Sequence, residues 1–152
     1  MFELVSGLAA KDHIIDLKLC SVLFENNALY PWIILVPRIK NVKNMTNLCL
    51  EERLQLMREM DLCEEVMVEN FPCDQTNVAA IGNECPQLSV HILCRKAGDA
   101  DWPATVWNNH SEPYAPEAKE ETIAKIKKAI MIKKTDPKYY QNACKTDYSI
   151  LD

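Results

Sequence analysis

QLSVHILCR, residues 87–95, sets Gln87, Ser89 and His91 against Leu88, Val90 and Ile92 at a period of two. Alternation at that period puts the polar side chains on one face of an extended strand and the aliphatic ones on the other. The stretch predicts a strand with one dry face, packed on a core, and one polar face that is free for chemistry. A Gln/Ser/His face on a half-buried strand is also what a plain solvated face looks like, so the neighbouring segments have to decide between the two.

Immediately upstream, TNVAAI (76–81) reads as a strand and GNECP (82–86) as the turn that joins it to the first stretch. Further back, KLCSVLF (18–24) and WIILV (32–36) form a second pair across the polar ENNALYP, with Pro31 and Pro37 bracketing the later strand. Short strands in succession pair most simply as an antiparallel sheet. Leu50, Leu54, Met57, Met60, Cys63 and Met67 recur at steps of three and four. That spacing predicts a helix over 50–70 with this face packed on the sheet. Residues 3–18 carry Leu4, Leu8, Ile14, Ile15 and Leu17 without a clean period, and the expectation there is helical. KAGDADWPATVWNNHSEPYAP (96–116) is too rich in Pro, Gly, Asp and Asn for regular structure. Pro116 opens a last helix, with Glu117, Glu120 and Glu121 near its start and Lys127, Lys128, Lys133 and Lys134 near its end, as the helix dipole favours. Its narrow stripe of Ile123, Ile126 and Ile130 is expected to pack on the domain, and DPKYYQNACKTDYSILD (136–152) to follow as a loosely held tail.

Composition excludes several classes. With 152 residues and 48% apolar content the chain suits one domain with a real core. A net charge of -5 and a pI near 5.2 argue against duplex nucleic acid as a partner. Seven cysteines, an odd number without a CxxC, read as reduced thiols of a cytoplasmic protein. MFELVSGLAAKDH lacks a basic leader, and the richest apolar run, YPWIILVPR, is too short to span a bilayer, so no membrane partner is expected. His13, His91 and His110 have no metal-ligand spacing, which leaves no metal and no cofactor to expect. Ser89 is not in a GxSxG elbow, so a Ser-His-acid hydrolase has little support.

QLSVHIL resembles the signature of the histidine triad (HIT) superfamily, in which three histidines alternate along a strand before a hydrophobic pair. NNALYPWIILVPR, TNVAAIGN and RKAGDADWPATVW resemble the corresponding blocks of its proteobacterial, diadenosine tetraphosphate hydrolase-like branch, which has Gln at the first triad position; they run in family order from about Leu19 to Trp107. The resemblance implies an α+β, HIT-like fold: an antiparallel sheet of about five strands with a long helix and a C-terminal helix. It implies a HIT-like domain over 1–115, with the C-terminal helix and tail of 116–152 packed on it. Gln87, Ser89 and His91 take the first, middle and third triad positions, ahead of Ile92 and Leu93. Asn83 matches a residue of the phosphate-side turn, Asn77 opens the preceding strand, and Asn26 takes the place of the ribose contact. Leu19, Val22, Phe24 and Ile34 are candidates for the base pocket. The implied partners are a purine nucleotide or dinucleoside polyphosphate and a second copy of the chain in a homodimer.

In the family the middle imidazole attacks the α-phosphate and forms a nucleotidyl-histidine, which water cleaves. Ser89 stands at that position. A hydroxyl needs a base to lose its proton, and the phosphodiester it would form is too stable to turn over. Strand neighbours two apart have Cα atoms roughly 6.5 to 7 Å from each other, whereas proton abstraction needs heavy atoms about 2.6 to 3.2 Å apart, which disfavours His91 as the base for Ser89. The implied function is a nucleotide-binding protein related to dinucleoside polyphosphate hydrolases, with catalysis weak or lost. The alternatives are a slow hydrolase or transferase using His91 or water, and a dimeric scaffold without ligand. Trp32 is expected in the core, as are Trp102 and Trp107, whose alternative is to cover the pocket or a subunit boundary, Arg95 as a strand-end surface charge, and His110 as a surface loop residue.

Overall fold

The computed structural model describes residues 1–137; the tail expected beyond them, with Cys144, lies outside the described residues. Its elements run α1 (Ser6–Ala9), β1 (Asp12–Asp16), β2 (Cys20–Phe24), β3 (Trp32–Pro37), α2 (Leu50–Asn70), β4 (Gln75–Ala80), β5 (Val90–Arg95) and α3 (Pro116–Lys133). The strands form one five-stranded sheet in the order β1-β2-β3-β5-β4, antiparallel at every pairing. The α+β class, the antiparallel sheet and the two long helices are as the sequence predicts.

β5 lies inside the sheet, with His91 opposite Ile34 of β3 and Ala79 of β4. The alternation of its side chains divides two cores. Val90 and Ile92 join Val22, Phe24, Ile33 and Leu35 under Leu56, Val66 and Met67 of α2 and Ile126 and Ile130 of α3. On the other face Leu93 joins Leu23, Trp32, Ile34 and Val36, covered by Leu8 from the N-terminal segment and Val106 from the loop after β5. The polar face of β5 is therefore not a solvated one. Ser89, His91 and Arg95 retain only 3%, 9% and 1% of their accessible surface.

Two expectations fail. Residues 3–18 are not one helix: a single turn, α1, is followed by β1. A bulge between His13 and Ile15 breaks the β1–β2 register, and Ile14 and Ile15 both reach the helix-side core. The extra residue of a bulge removes the period-two signature. The second failure is the first half of the predicted face of α2; its later members Cys63 and Met67 are buried as expected. Leu56, Glu59, Leu62, Cys63, Val66 and Met67 face the core, whereas Leu50, Leu54 and Met57 are exposed. The anchor of the true face is a charge: Glu59 accepts the backbone N–H groups of Leu19 at 2.7 Å and Cys20 at 2.8 Å, and the Gln55 amide at 2.8 Å. A buried carboxylate bonded this way holds its place on a core face, and a count of apolar residues misses it.

α2 opens with the Cys49 N–H donating to Glu52 at 2.7 Å, one arm of a capping box. α3 starts with Pro116 at its first turn and ends near Lys133. Lys133 bridges Glu65 and Glu69 of α2 at 2.9 and 2.6 Å, and Lys119 meets Asp12 of β1 at 3.0 Å. Such surface pairs contribute little; the buried Ile126 and Ile130 carry the docking.

Candidate functional site

The turn between β4 and β5 delivers Ser89 one residue before β5 begins. Ser89 and His91 thus share the sheet face away from the helices, beneath a cleft of about 470 Å³. Trp32, Ser89 and His91 form its floor; Lys11, Asn83, Trp107 and His110 are among the residues of its walls. α1 approaches the turn so closely that a Cβ on Gly7 would stand 2.7 Å from Cys85 Sγ. A larger residue there would have to push the Cys85 side chain aside.

His91 is held by aromatic rings. Trp32 and Trp107 meet it edge-on, with centroids 5.6 and 5.9 Å away, and the Trp32 indole N–H donates to His91 Nδ1 at 3.0 Å. Indole is a donor only, so Nδ1 must be the unprotonated nitrogen. The neutral ring then carries its proton on Nε2. Among the described residues no buried polar side-chain atom lacks a partner, so Nε2, for which none is present, opens to the cleft. Burial, and secondarily the Lys11 charge, lowers the His91 pKa to about 4. At neutral pH the cleft floor presents an uncharged N–H donor. The same reasoning opens the Ser89 hydroxyl to the cleft, since it too has no partner among the described residues.

This has a consequence for stability. An unfolded histidine protonates near pH 6.5, while His91 in the fold resists protonation down to about 4. The unfolded state therefore binds more protons in that interval, and stability falls as pH falls through it. The loss is on the order of 2–3 kcal/mol by pH ~4.5. His91→Gln can still accept from Trp32 but cannot titrate. Denaturant melts at the two ends of the interval should show the wild type losing about that much more than the variant; equal losses would mean that His91 titrates normally.

The loop after β5 is tied down by charge. Arg95 makes a paired contact with Asp99, Nε to Oδ2 at 2.7 Å and Nη2 to Oδ1 at 2.8 Å, and its Nη1 donates to Ala104 O at 2.9 Å and Asn77 Oδ1 at 3.1 Å. Asp99 accepts the Asp101 N–H at 3.1 Å. Tyr30 donates its hydroxyl to Asp101 Oδ2, and Asp101 Oδ1 meets His110 Nδ1 at 2.6 Å. Bonds from Tyr30 and then His110 hold the Asp101 carboxyl below its usual range; burial, then Asp101, pushes the Tyr30 phenol up.

The predicted site residues separate into two groups. Ser89, His91 and Asn83 line the cleft. Gln87 instead grips the N-terminal segment, accepting from Val5 N at 3.0 Å and donating to Glu3 O at 2.9 Å. Asn77 braces Arg95, and Asn26 accepts from Tyr114 N at 3.0 Å; Glu25 and Asn27 beside it line the cleft instead. Leu19, Val22 and Phe24 pack on the helix-side core and Ile34 on the opposite one. Trp32 is buried as expected. Arg95 is a buried brace rather than a surface charge; His110 is the exposed loop residue expected, and it also lines the cleft with a buried carboxylate behind it. The DxD of GDADW next to a strand-end Arg was the available signal, and it is a weak one.

A family model described as the HIT domain matches residues 7–98. A histidine triad protein from Bradyrhizobium japonicum is 35% identical, with 85% of this chain and 98% of that chain covered at a TM-score of 0.81. Another from Marinobacter aquaeolei is 36% identical, covering 87% and 98% at a TM-score of 0.83. The fold is also that of a diadenosine triphosphate hydrolase from Plasmodium falciparum, at 21% identity, 81% and 78% coverage and a TM-score of 0.54. No curated protein sequence matches the chain. Among the described residues no helix is long and apolar enough to cross a membrane.

Proposed function

Because the chain belongs to the histidine triad (HIT) family, we propose that the cleft over Ser89 and His91 binds the phosphate end of a purine nucleotide or dinucleoside polyphosphate. Turnover there is slow or absent and proceeds without a covalent nucleotidyl intermediate. The observation that carries this reading is the pairing of an unpartnered Ser89 hydroxyl with a His91 Nε2–H on one cleft floor. Both can donate to phosphate oxygens, and a hydrogen bond to a charged group contributes about 1.5–3 kcal/mol. Asn83 on the turn supplies a further amide, and Trp107 an aromatic wall.

The same geometry removes the covalent route. Ser89 needs a base, but the Nδ1 lone pair of His91 is engaged by Trp32 and its Nε2 already holds a proton. Serine here can ligate phosphate without attacking it. The reading includes the family's homodimer and a cytoplasmic setting for the chain's free thiols at Cys20, Cys49, Cys63, Cys73, Cys85 and Cys94.

Thermal melts with AMP and with diadenosine tetraphosphate test it. Ligand at about 100 times its dissociation constant should stabilise by about 2.7 kcal/mol. That raises the midpoint by roughly 5–11 °C for a domain of this size. Ser89→Trp, which fills the floor of the cleft, should abolish the shift. If neither nucleotide moves the midpoint, the fold is serving as a scaffold and the proposal fails.

A further inference from the structure

We propose that His110 is the general base of the cleft, activating a water molecule for direct attack on phosphorus. The inference rests on the nucleotide reading above and names the group that would turn the bound nucleotide over.

His110 and His91 line the same cleft with opposite polarity. Asp101 can only accept at Oδ1, so His110 Nδ1 carries the proton and its Nε2 carries a lone pair. His91, its Nδ1 engaged by Trp32, presents Nε2–H. One imidazole can take a proton while the other donates to a phosphoryl oxygen. Hydrolysis by direct water attack is accelerated by both roles.

The position of His110 is built rather than incidental. Its ring is 68% exposed but the Asp101 side chain behind it is only 4% exposed. Asp101 is held in turn by the Tyr30 hydroxyl and by the Asp99–Arg95 pair. The His110 backbone is fixed separately: Asn27 Nδ2 donates to its carbonyl at 3.3 Å. Asn108 takes a left-handed φ of 62°, a conformation asparagine tolerates well, and turns the chain just before it.

In the step, the water oxygen forms a bond to phosphorus as the anhydride P–O bond on the far side breaks. The water proton passes to His110 Nε2 and then to solvent, and the leaving phosphate departs as an anion. His91 Nε2–H donates to a non-bridging oxygen throughout. Asp101 is a positioning residue, since it acts only through His110.

Single-turnover hydrolysis of diadenosine tetraphosphate with full-length protein in excess, beside AMP calorimetry, tests the proposal. His110→Gln should slow hydrolysis at least about 100-fold while the AMP dissociation constant moves less than about threefold. Because the ring is exposed, the variant should fold normally. Asp101→Asn should slow hydrolysis in the wild-type background but change nothing further in a His110→Gln background; a purely structural contact would cost the same in both. The other groups facing His110 across the cleft, Lys11, Glu25, Glu84, Cys85 and His91, are unchanged in both variants. An unimpaired rate in His110→Gln overturns the proposal, as does AMP binding lost together with rate. A wild type that binds AMP but never hydrolyses the substrate overturns it and leaves the binding reading intact. Failure to bind AMP at all overturns both.

Discussion

Ser89→His should raise the hydrolysis of diadenosine tetraphosphate by about 10³-fold or more, since losing the nucleophile of a covalent enzyme costs on the order of 10⁴ to 10⁶ in turnover. The substitution places an imidazole on the floor of a cleft of about 470 Å³, beside a His91 that already offers Nε2–H. A neutral imidazole attacks phosphorus without prior deprotonation and leaves readily, which are the two properties serine lacks. The mechanism should change along with the rate. A pre-steady-state burst should appear, with a nucleotidyl-protein that survives alkali and decomposes in acid. Restoring the nucleophile also removes the need for a base in the first step, so the burst should persist in a Ser89→His, His110→Gln double variant. If Ser89→His binds AMP yet hydrolyses no faster than wild type, phosphorus does not sit at this position and the reading of the cleft is wrong.

The part of this site that could be read in the sequence is the part built by local periodicity. Alternation along 87–95 put Ser89 and His91 on one face because successive strand residues point to opposite sides of a sheet. The boundaries of α2 and α3 followed from apolar spacing and from Pro116. What failed depends on partners far away in the chain. Glu59 is buried by amides some 40 residues earlier, so the apolar stripe misplaces Leu50, Leu54 and Met57, while its later members Cys63 and Met67 are buried as expected. Gln87 falls on the first triad position, and its amide is satisfied by backbone 82 and 84 residues away. The tautomer of His91, which decides whether it can act as a base, is fixed by the Trp32 indole 59 residues distant. No spacing rule encodes such pairings. A side chain's chemistry is set by the group opposite it, and only the fold determines which group that is.

Arg95→Ala should cost about 3 kcal/mol of stability, the low end of what removing one partner of a buried ion pair costs, because this pair lies beneath a single layer of loop. Arg95 is 1% exposed and engages Asp99 through two parallel bonds. Its guanidinium also stands 5.2 Å from the centre of the Tyr30 ring and 5.8 Å from that of Trp102. Truncation leaves the Ala104 carbonyl and the Asn77 amide oxygen without their donor, leaves the Asp99 carboxylate only the backbone N–H groups of Lys96 and Asp101, and removes the plane on which both rings rest. A midpoint lower by roughly 6–12 °C is the expected reading. Arg95→Lys should recover little of this, since a point charge cannot reproduce a two-pronged contact. The bond from Arg95 holds the Asp99 carboxyl below its usual range. Its contribution is therefore complete above the unfolded aspartate value of about 4 and is lost as pH falls through the lower folded value. Acid melts should accordingly be shallower in Arg95→Ala than in wild type. In a cycle with Asp99→Asn, the double variant should lose clearly less than the two single losses added together. Strict additivity would mean that Arg95 stabilises the loop by packing alone, and that the chain of hydrogen bonds behind Asp101 and His110 does not begin at the strand.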